Sequence, residues 1–141
     1  MSDASLLLDS HVWVWTVNGD AALGRKAKGV IGERARRDAL AVSGISFWEL
    51  AVKAGKGRLE LLPDVRAWLA AASSVAGLGV IDVDRDLMLR ATSLEWPHAD
   101  PADRMLVATA IFHDLDLVTA DRVILEYARA NRMLSAIDAK R

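Results

Sequence analysis

The chain has 141 residues, 52% of them apolar and 26% charged, which suits one domain (1–141) with a buried core and excludes a disordered chain. Its 18 basic and 19 acidic residues leave a net charge of −1, so no overall excess marks a nucleic-acid or membrane-surface binder. The absence of cysteine excludes disulfides and thiolate metal sites.

The opening Met1-Ser2-Asp3-Ala4 lacks a basic stretch before its apolar run, so no signal sequence is expected. No uncharged apolar stretch reaches membrane-spanning length, and a cytoplasmic protein without a membrane partner is the expectation. Ser5 to Asp9, three leucines stopped by an acid, reads as a buried strand. A helix over His11 to Val17 follows, closed by the turn Asn18-Gly19-Asp20, and then a polar helix from Leu23 to Arg37. Leu40 to Ser43 reads as the second strand. Ser46 and Glu49 match a capping box, in which hydroxyl and carboxylate satisfy the first amides of a helix that ends near Gly55 and Gly57.

Pro63 opens a helix through Trp68 to Ser74, and Gly79 to Val83 is the third strand. A helix from Arg85 to Leu94 leads into the loop Glu95 to Ala99. Asp100 as N-cap and Pro101 at the first helical position begin a helix to His113. Leu115 to Thr119 is the fourth strand, Asp121 caps a last helix to Ala130, and Met133 to Ile137 reads as a fifth strand. This alternation predicts an α/β fold, a three-layer α/β/α domain on a mainly parallel sheet of four or five strands. Such sheets bind ligands beyond the carboxyl ends of their strands, where strand order reverses.

Four acids, Asp9, Glu49, Asp103 and Asp121, fall at helix starts and so can face one crevice. Each alone is explicable as a cap or first-turn acid. Two details go further. Asp100 already supplies the cap, which makes Asp103 surplus to its helix; and Asp9 ends a leucine run, where a carboxylate loses water and needs a counter-charge. Lys53 can pair with Glu49 at i,i+4. Oxygen donors without cysteine or a histidine pair suit Mg²⁺ or Mn²⁺ rather than Zn²⁺. A metal so held activates water and neutralises charge on a phosphodiester, and without it the acids raise one another's pKa.

Cations concentrate at Arg25, Lys26, Lys28, Arg34, Arg36 and Arg37, and again at Lys53, Lys56 and Arg58. Arg25, Lys26, Lys53, Lys56 and Arg58, with Arg104 beside Asp103, are candidate contacts to a nucleic-acid backbone. Neither a P-loop nor G-x-G-x-x-G is present, so no nucleotide cofactor is expected, and no G-x-S-x-G elbow supports a serine hydrolase. His11 is expected to pack on Trp15, His113 to cap a helix end, and His98 to be incidental in its loop unless it reaches a phosphate. Of the five tryptophans, Trp48 and Trp68 are expected in the core, while Trp13 and Trp15 face different ways.

LLLDSHVWVW at 6–15, SGISFWELAVKAGKGRLEL at 43–61, HADPADRMLVATA at 98–110 and LVTADRVI at 117–124 resemble, in family order, the motifs of PIN domains, and among them the VapC-type toxins of bacterial toxin–antitoxin pairs. The resemblance implies a magnesium-dependent endoribonuclease, with Mn²⁺ able to substitute, whose acidic quartet is Asp9, Glu49, Asp103 and Asp121. Asp9 and Asp103 are its implied metal ligands, joined by Asp121; Glu49 completes the shell or positions water. Asp100 is an outer-shell helper or the alternate to Asp103, and Ser10, Ser46 and Thr119 orient neighbours. It also implies an RNA substrate, a cognate antitoxin and a homodimer. A non-catalytic PIN-fold binding module and a structure-specific DNA nuclease are the competing readings.

Overall fold

The computed structural model describes residues 5–141; the first four, on which the expectation of no signal sequence rests, lie outside the described residues. Five strands, β1 (Leu6–Leu8), β2 (Leu40–Ser43), β3 (Leu78–Ile81), β4 (Asp116–Thr119) and β5 (Ala136–Asp138), form one sheet in the order β3-β2-β1-β4-β5. Every pairing is parallel, in agreement with the predicted α/β class. Seven helices connect them: α1 (Ser10–Asn18), α2 (Arg25–Ala35), α3 (Gly44–Gly55), α4 (Val65–Ser73), α5 (Arg85–Thr92), α6 (Pro101–Phe112) and α7 (Arg122–Ala130).

The run Leu6-Leu7-Leu8 needs no polar alternation because helices cover both faces of the central strand. Leu6 and Leu8 join Val42 and Val118 against Val12 and Trp13 of α1, Ile31 of α2 and Trp68 of α4. Leu7 joins Ala41 and Leu117 on the opposite face against Leu106 and Val107 of α6 and Ile124 of α7. Three layers result, with α5 laid on α6 through Leu87, Ala91 and Ala108. From β1 the chain steps outward to β2 and β3, then returns to the other side of β1 for β4 and β5. The order therefore reverses between β1 and β4, and the crevice a parallel sheet offers opens there.

Three local expectations change. The Ser46–Glu49 capping box does not form, because α3 begins three residues earlier and Ser43 Oγ accepts from Ile45 N at 3.1 Å. Ser46 and Glu49 sit within the helix, one turn apart on the face turned toward α1. Asp64 rather than Pro63 starts α4, its carboxylate accepting from Ala67 N at 2.9 Å. Trp48 is not core: it is 59% exposed, since Leu50 and the partly buried Phe47 take the inward face of α3 and leave Trp48 on its outer side. Trp68 is buried as expected and packs edge-on to Trp13, with ring centroids 5.4 Å apart. Among the described residues no helix is long and apolar enough to cross a membrane.

Candidate active site

β1 delivers Asp9 to the crevice, and Asp9 stays there because it caps α1, with Oδ1 accepting from Ser10 N at 2.6 Å. Its Oδ2 accepts from Thr119 Oγ1 at 2.6 Å, and that hydroxyl in turn accepts from Asp121 N at 3.1 Å. One threonine at the end of β4 thus ties the first acid to the last. Asp121 caps α7 through Oδ1, which accepts from Val123 N at 2.8 Å.

Glu49 is held from two sides. Ser10 Oγ donates to its Oε1 at 2.6 Å, and Lys53 Nζ to its Oε2 at 3.1 Å, the expected i,i+4 pair. Ser10 Oγ also lies 2.8 Å from Ser46 Oγ. Since a hydroxyl has one proton, Ser10 gives its own to Glu49 and accepts from Ser46. Both serines are fully buried, so this chain sets the carboxylate's position rather than meeting solvent. Lys53 Nζ is also 2.9 Å from Nε2 of His11, and an ammonium can only donate. Nε2 is therefore unprotonated, in keeping with a His11 pKa lowered by burial first and by Lys53 second. His11 turns its ring nitrogen to Lys53 as well as lining the crevice with Trp15.

Asp100 caps α6 with Oδ1, accepting from Ala102 N at 2.9 Å and Asp103 N at 3.3 Å, as expected. That leaves Asp103 free of the cap, and its Oδ2 meets His98 Nε2 at 2.7 Å. His98, read from sequence as incidental, is fixed by three contacts. Its ring lies 4.7 Å from that of Trp96, which stacks on Tyr127 at the same separation. Its carbonyl accepts from Arg104 at 2.9 Å. Arg104 gives its remaining N–H groups to carbonyls of Ala91, Trp96, Leu94 and, at 3.5 Å, Thr92. All five donors of the guanidinium are engaged, so Arg104 fastens the loop before α6 and is removed from the candidate backbone contacts.

All four acids and Asp100 line one crevice of about 340 Å³, together with His11, Trp15, Lys53, Ala120 and Lys140. Lys140 has no sequence motif to announce it; only the folding of β5 beside β4 brings it there. Lys53, Lys56 and Arg58 line the adjoining groove, which shares Glu49 and Asp100 with the crevice. Arg25 and Lys26, at the start of α2, do not line the crevice.

The electrostatics are those of a site short of positive charge. The Asp9 carboxyl is pushed up to about 6, chiefly by burial and further by Glu49 and Asp103, against the bonds from Thr119 and Ser10. Asp103 is also raised, by burial first and then by Asp100, Asp121 and Glu49, against its bond to His98. Ligand atoms of His98, Asp100 and Asp103 all lie within 4.8 Å of one another. Clustered, partly desolvated carboxylates fit a hard divalent cation, which would restore their ionised forms.

Residues 6–130 match the PIN domain family. The chain belongs to the PIN-domain family. Over 122 residues, 84% of this chain and 88% of the relative, it is 39% identical to Ribonuclease VapC22 of Mycobacterium tuberculosis. Among solved structures, VapBC2 from Rickettsia felis bound to a DNA fragment from its promoter superposes with a TM-score of 0.67 at 17% identity, covering 94% of this chain and 97% of that one. DNA-bound VapBC from Salmonella typhimurium gives 0.66 at 19% identity, covering 96% and 98%. At such identities these two structures speak for the PIN fold alone. The matched segment of the PIN domain contains all four acids, His98 and Asp100.

Proposed function

We infer that the protein is a VapC-type endoribonuclease, the toxin of a toxin–antitoxin pair, using a divalent cation and acting in the cytoplasm. The observation that carries this reading is the convergence of Asp9, Glu49, Asp103 and Asp121 on one crevice where two of the carboxyls are raised. The kinship with a mycobacterial ribonuclease supports it. Asp9 and Asp103 are the proposed direct ligands, with Asp121 beside them and Asp100 and His98 at the outer side. A bound Mg²⁺, for which Mn²⁺ substitutes, supplies water activation and neutralises charge developing on the phosphodiester. Glu49, fixed by Ser10 and Lys53, keeps lone pairs on both oxygens to orient the attacking water. Attack by external water leaves 5′-phosphate and 3′-hydroxyl ends. Lys53, Lys56 and Arg58 flank the acids as contacts to the RNA backbone.

The deciding assay incubates cellular RNA with the protein in Mg²⁺, in Mn²⁺ and in EDTA, and sequences the ends. Cleavage confined to the divalent-metal samples is expected, and cleavage persisting in EDTA would falsify the metal requirement. RNA bound but uncut in every metal would instead mean a PIN-fold binding module, and preferential cutting of DNA a DNA nuclease.

Two partners complete the proposal. The similar structures from Rickettsia and Salmonella are toxin–antitoxin complexes, which supports a cognate antitoxin for this chain. A second copy of the chain is the proposed occupant of an apolar groove of about 650 Å³, where the exposed Trp48 and Met88 flank Ile45, Val83 and Met105. Trp48→Glu is expected to convert a sedimenting dimer to monomer without loss of folded structure. A wild-type protein that sediments as a monomer at micromolar concentration rules the homodimer out.

A further inference from the structure

A second groove, of about 540 Å³, runs along the outer edge of the sheet. Its floor is the edge strand β5 with Ser135 just before it. Its walls are α2 and α7, which pack on opposite faces of the sheet through Ile31 and Ile124. Four cations line it: Lys26, Arg129, Arg132 and Arg141. All four are exposed, and none makes an ion pair with a carboxylate among the described residues. The one acid in the lining, Asp138, accepts from Lys140 N at 2.9 Å and closes a turn of its own chain.

The placement of these charges is built into the backbone. Gly24 N donates to Ala139 O at 2.8 Å and Lys26 N to Arg141 O at 2.9 Å, so the start of α2 is joined to the chain just after β5. A Cβ on Gly24 would stand 2.2 Å from the backbone carbon of Arg141, so only glycine permits this approach. Lys26 and Arg141 are thereby set together at the carboxyl edge of the sheet. From there α7, nine residues and roughly 13 Å long, leads toward Arg129 and Arg132. Crevice and groove are also adjacent along the chain: Lys140 lines the crevice and its neighbour Arg141 lines the groove.

We propose that this edge groove is a binding track for the phosphate backbone of single-stranded RNA, carrying the substrate away from the acidic crevice on the side opposite Lys53, Lys56 and Arg58. The proposal rests on the ribonuclease reading above and extends it to residues outside the quartet. An acidic centre repels a polyanion, so affinity has to come from cations on either side of it. One flank is already provided; the unpaired cations of the edge groove provide the other. No aromatic side chain lines the groove, so bases are not stacked there and the grip is independent of sequence. An acidic polypeptide is the competing occupant, disfavoured because Lys140 and Arg141, consecutive in the chain, line the crevice and the groove respectively, which puts the groove within reach of a strand held at the acids.

The test measures binding of a labelled single-stranded RNA of about twelve nucleotides in EDTA, so that cleavage plays no part, as a function of salt. Replacing two arginines, Arg129→Glu with Arg132→Glu, is expected to weaken binding about tenfold and to reduce the slope of log affinity against log salt by about 1.4. The pair Arg129→Lys with Arg132→Lys keeps the charge and is expected to bind nearly as wild type. In Mg²⁺ the Glu pair raises KM on the same RNA and leaves kcat unchanged. Unchanged affinity and salt slope in the Glu pair overturn the proposal. So does a Lys pair that fails as badly as the Glu pair, or a Glu pair that loses only an acidic antitoxin segment. Should the wild type cut no RNA in any metal, the ribonuclease reading fails by itself, and the binding data still decide the groove.

Discussion

Asp9→Asn and Asp103→Asn are each expected to lower kcat for RNA cleavage by roughly a thousandfold, with KM little changed. Asn is nearly isosteric and remains a good N-cap, so the Asp9 variant keeps α1 closed while losing the negative charge and one ligand oxygen. Asp103 has no cap to lose, because Asp100 supplies it. Asp100→Asn therefore serves as the comparison: it too preserves the cap, and a fall of only about tenfold is expected from an outer position. Single-turnover rates in saturating Mg²⁺ distinguish the three. If the Asp100 variant shows the larger loss and the Asp103 variant the smaller, the two exchange roles.

In metal-free protein, Asp9→Asn is expected to raise stability at pH 8 by about 1–3 kcal/mol, a gain that disappears as pH falls below about 4. The sign follows from the raised carboxyl. With its pKa near 6 in the fold against an ordinary value near 4, the folded state holds this proton more tightly than the unfolded chain does. Between those values the folded state binds more protons, so rising pH costs stability, and above about pH 6 the whole cost is present. Asp103, raised for the same first reason, adds to the trend. Urea unfolding in EDTA from pH 4 to 8 measures it as the difference between wild type and variant. Added Mg²⁺ should stabilise the wild type at pH 8 and the variant much less. A difference that stays flat across this range would mean that Asp9 is not held in a charge-poor site.

Asp9, Asp103 and Asp121 were legible in the sequence because each follows a strand or opens a helix whose type could be read from local patterning, whereas Glu49, expected at a helix start, lies in the body of α3. Their partners were less so. The S-x-x-E spacing of Ser46 and Glu49 is the capping-box spacing, yet it is also one turn of helix, and only the position of Ser43 decides between them. Trp48 was misplaced because its size suggests burial, whereas its side of α3 depends on where the helix meets the sheet. His98 carried no spacing signal; ring contact with Trp96 and the loop held by Arg104 give it a role. Lys140 and the edge groove depend on strand order, which alternation of strands and helices does not encode.

The bond between Asp9 and Thr119 joins positions 110 residues apart, and β1 has no sheet neighbour on that side until β4 is present. The proposed catalytic set is drawn from positions 9, 49, 103 and 121, so no amino-terminal fragment that stops short of Asp121 contains it. A nascent chain from which Asp121 has not yet emerged is therefore expected to leave RNA uncut. Long-range closure, which slows folding, here also sets the moment at which the proposed site can assemble.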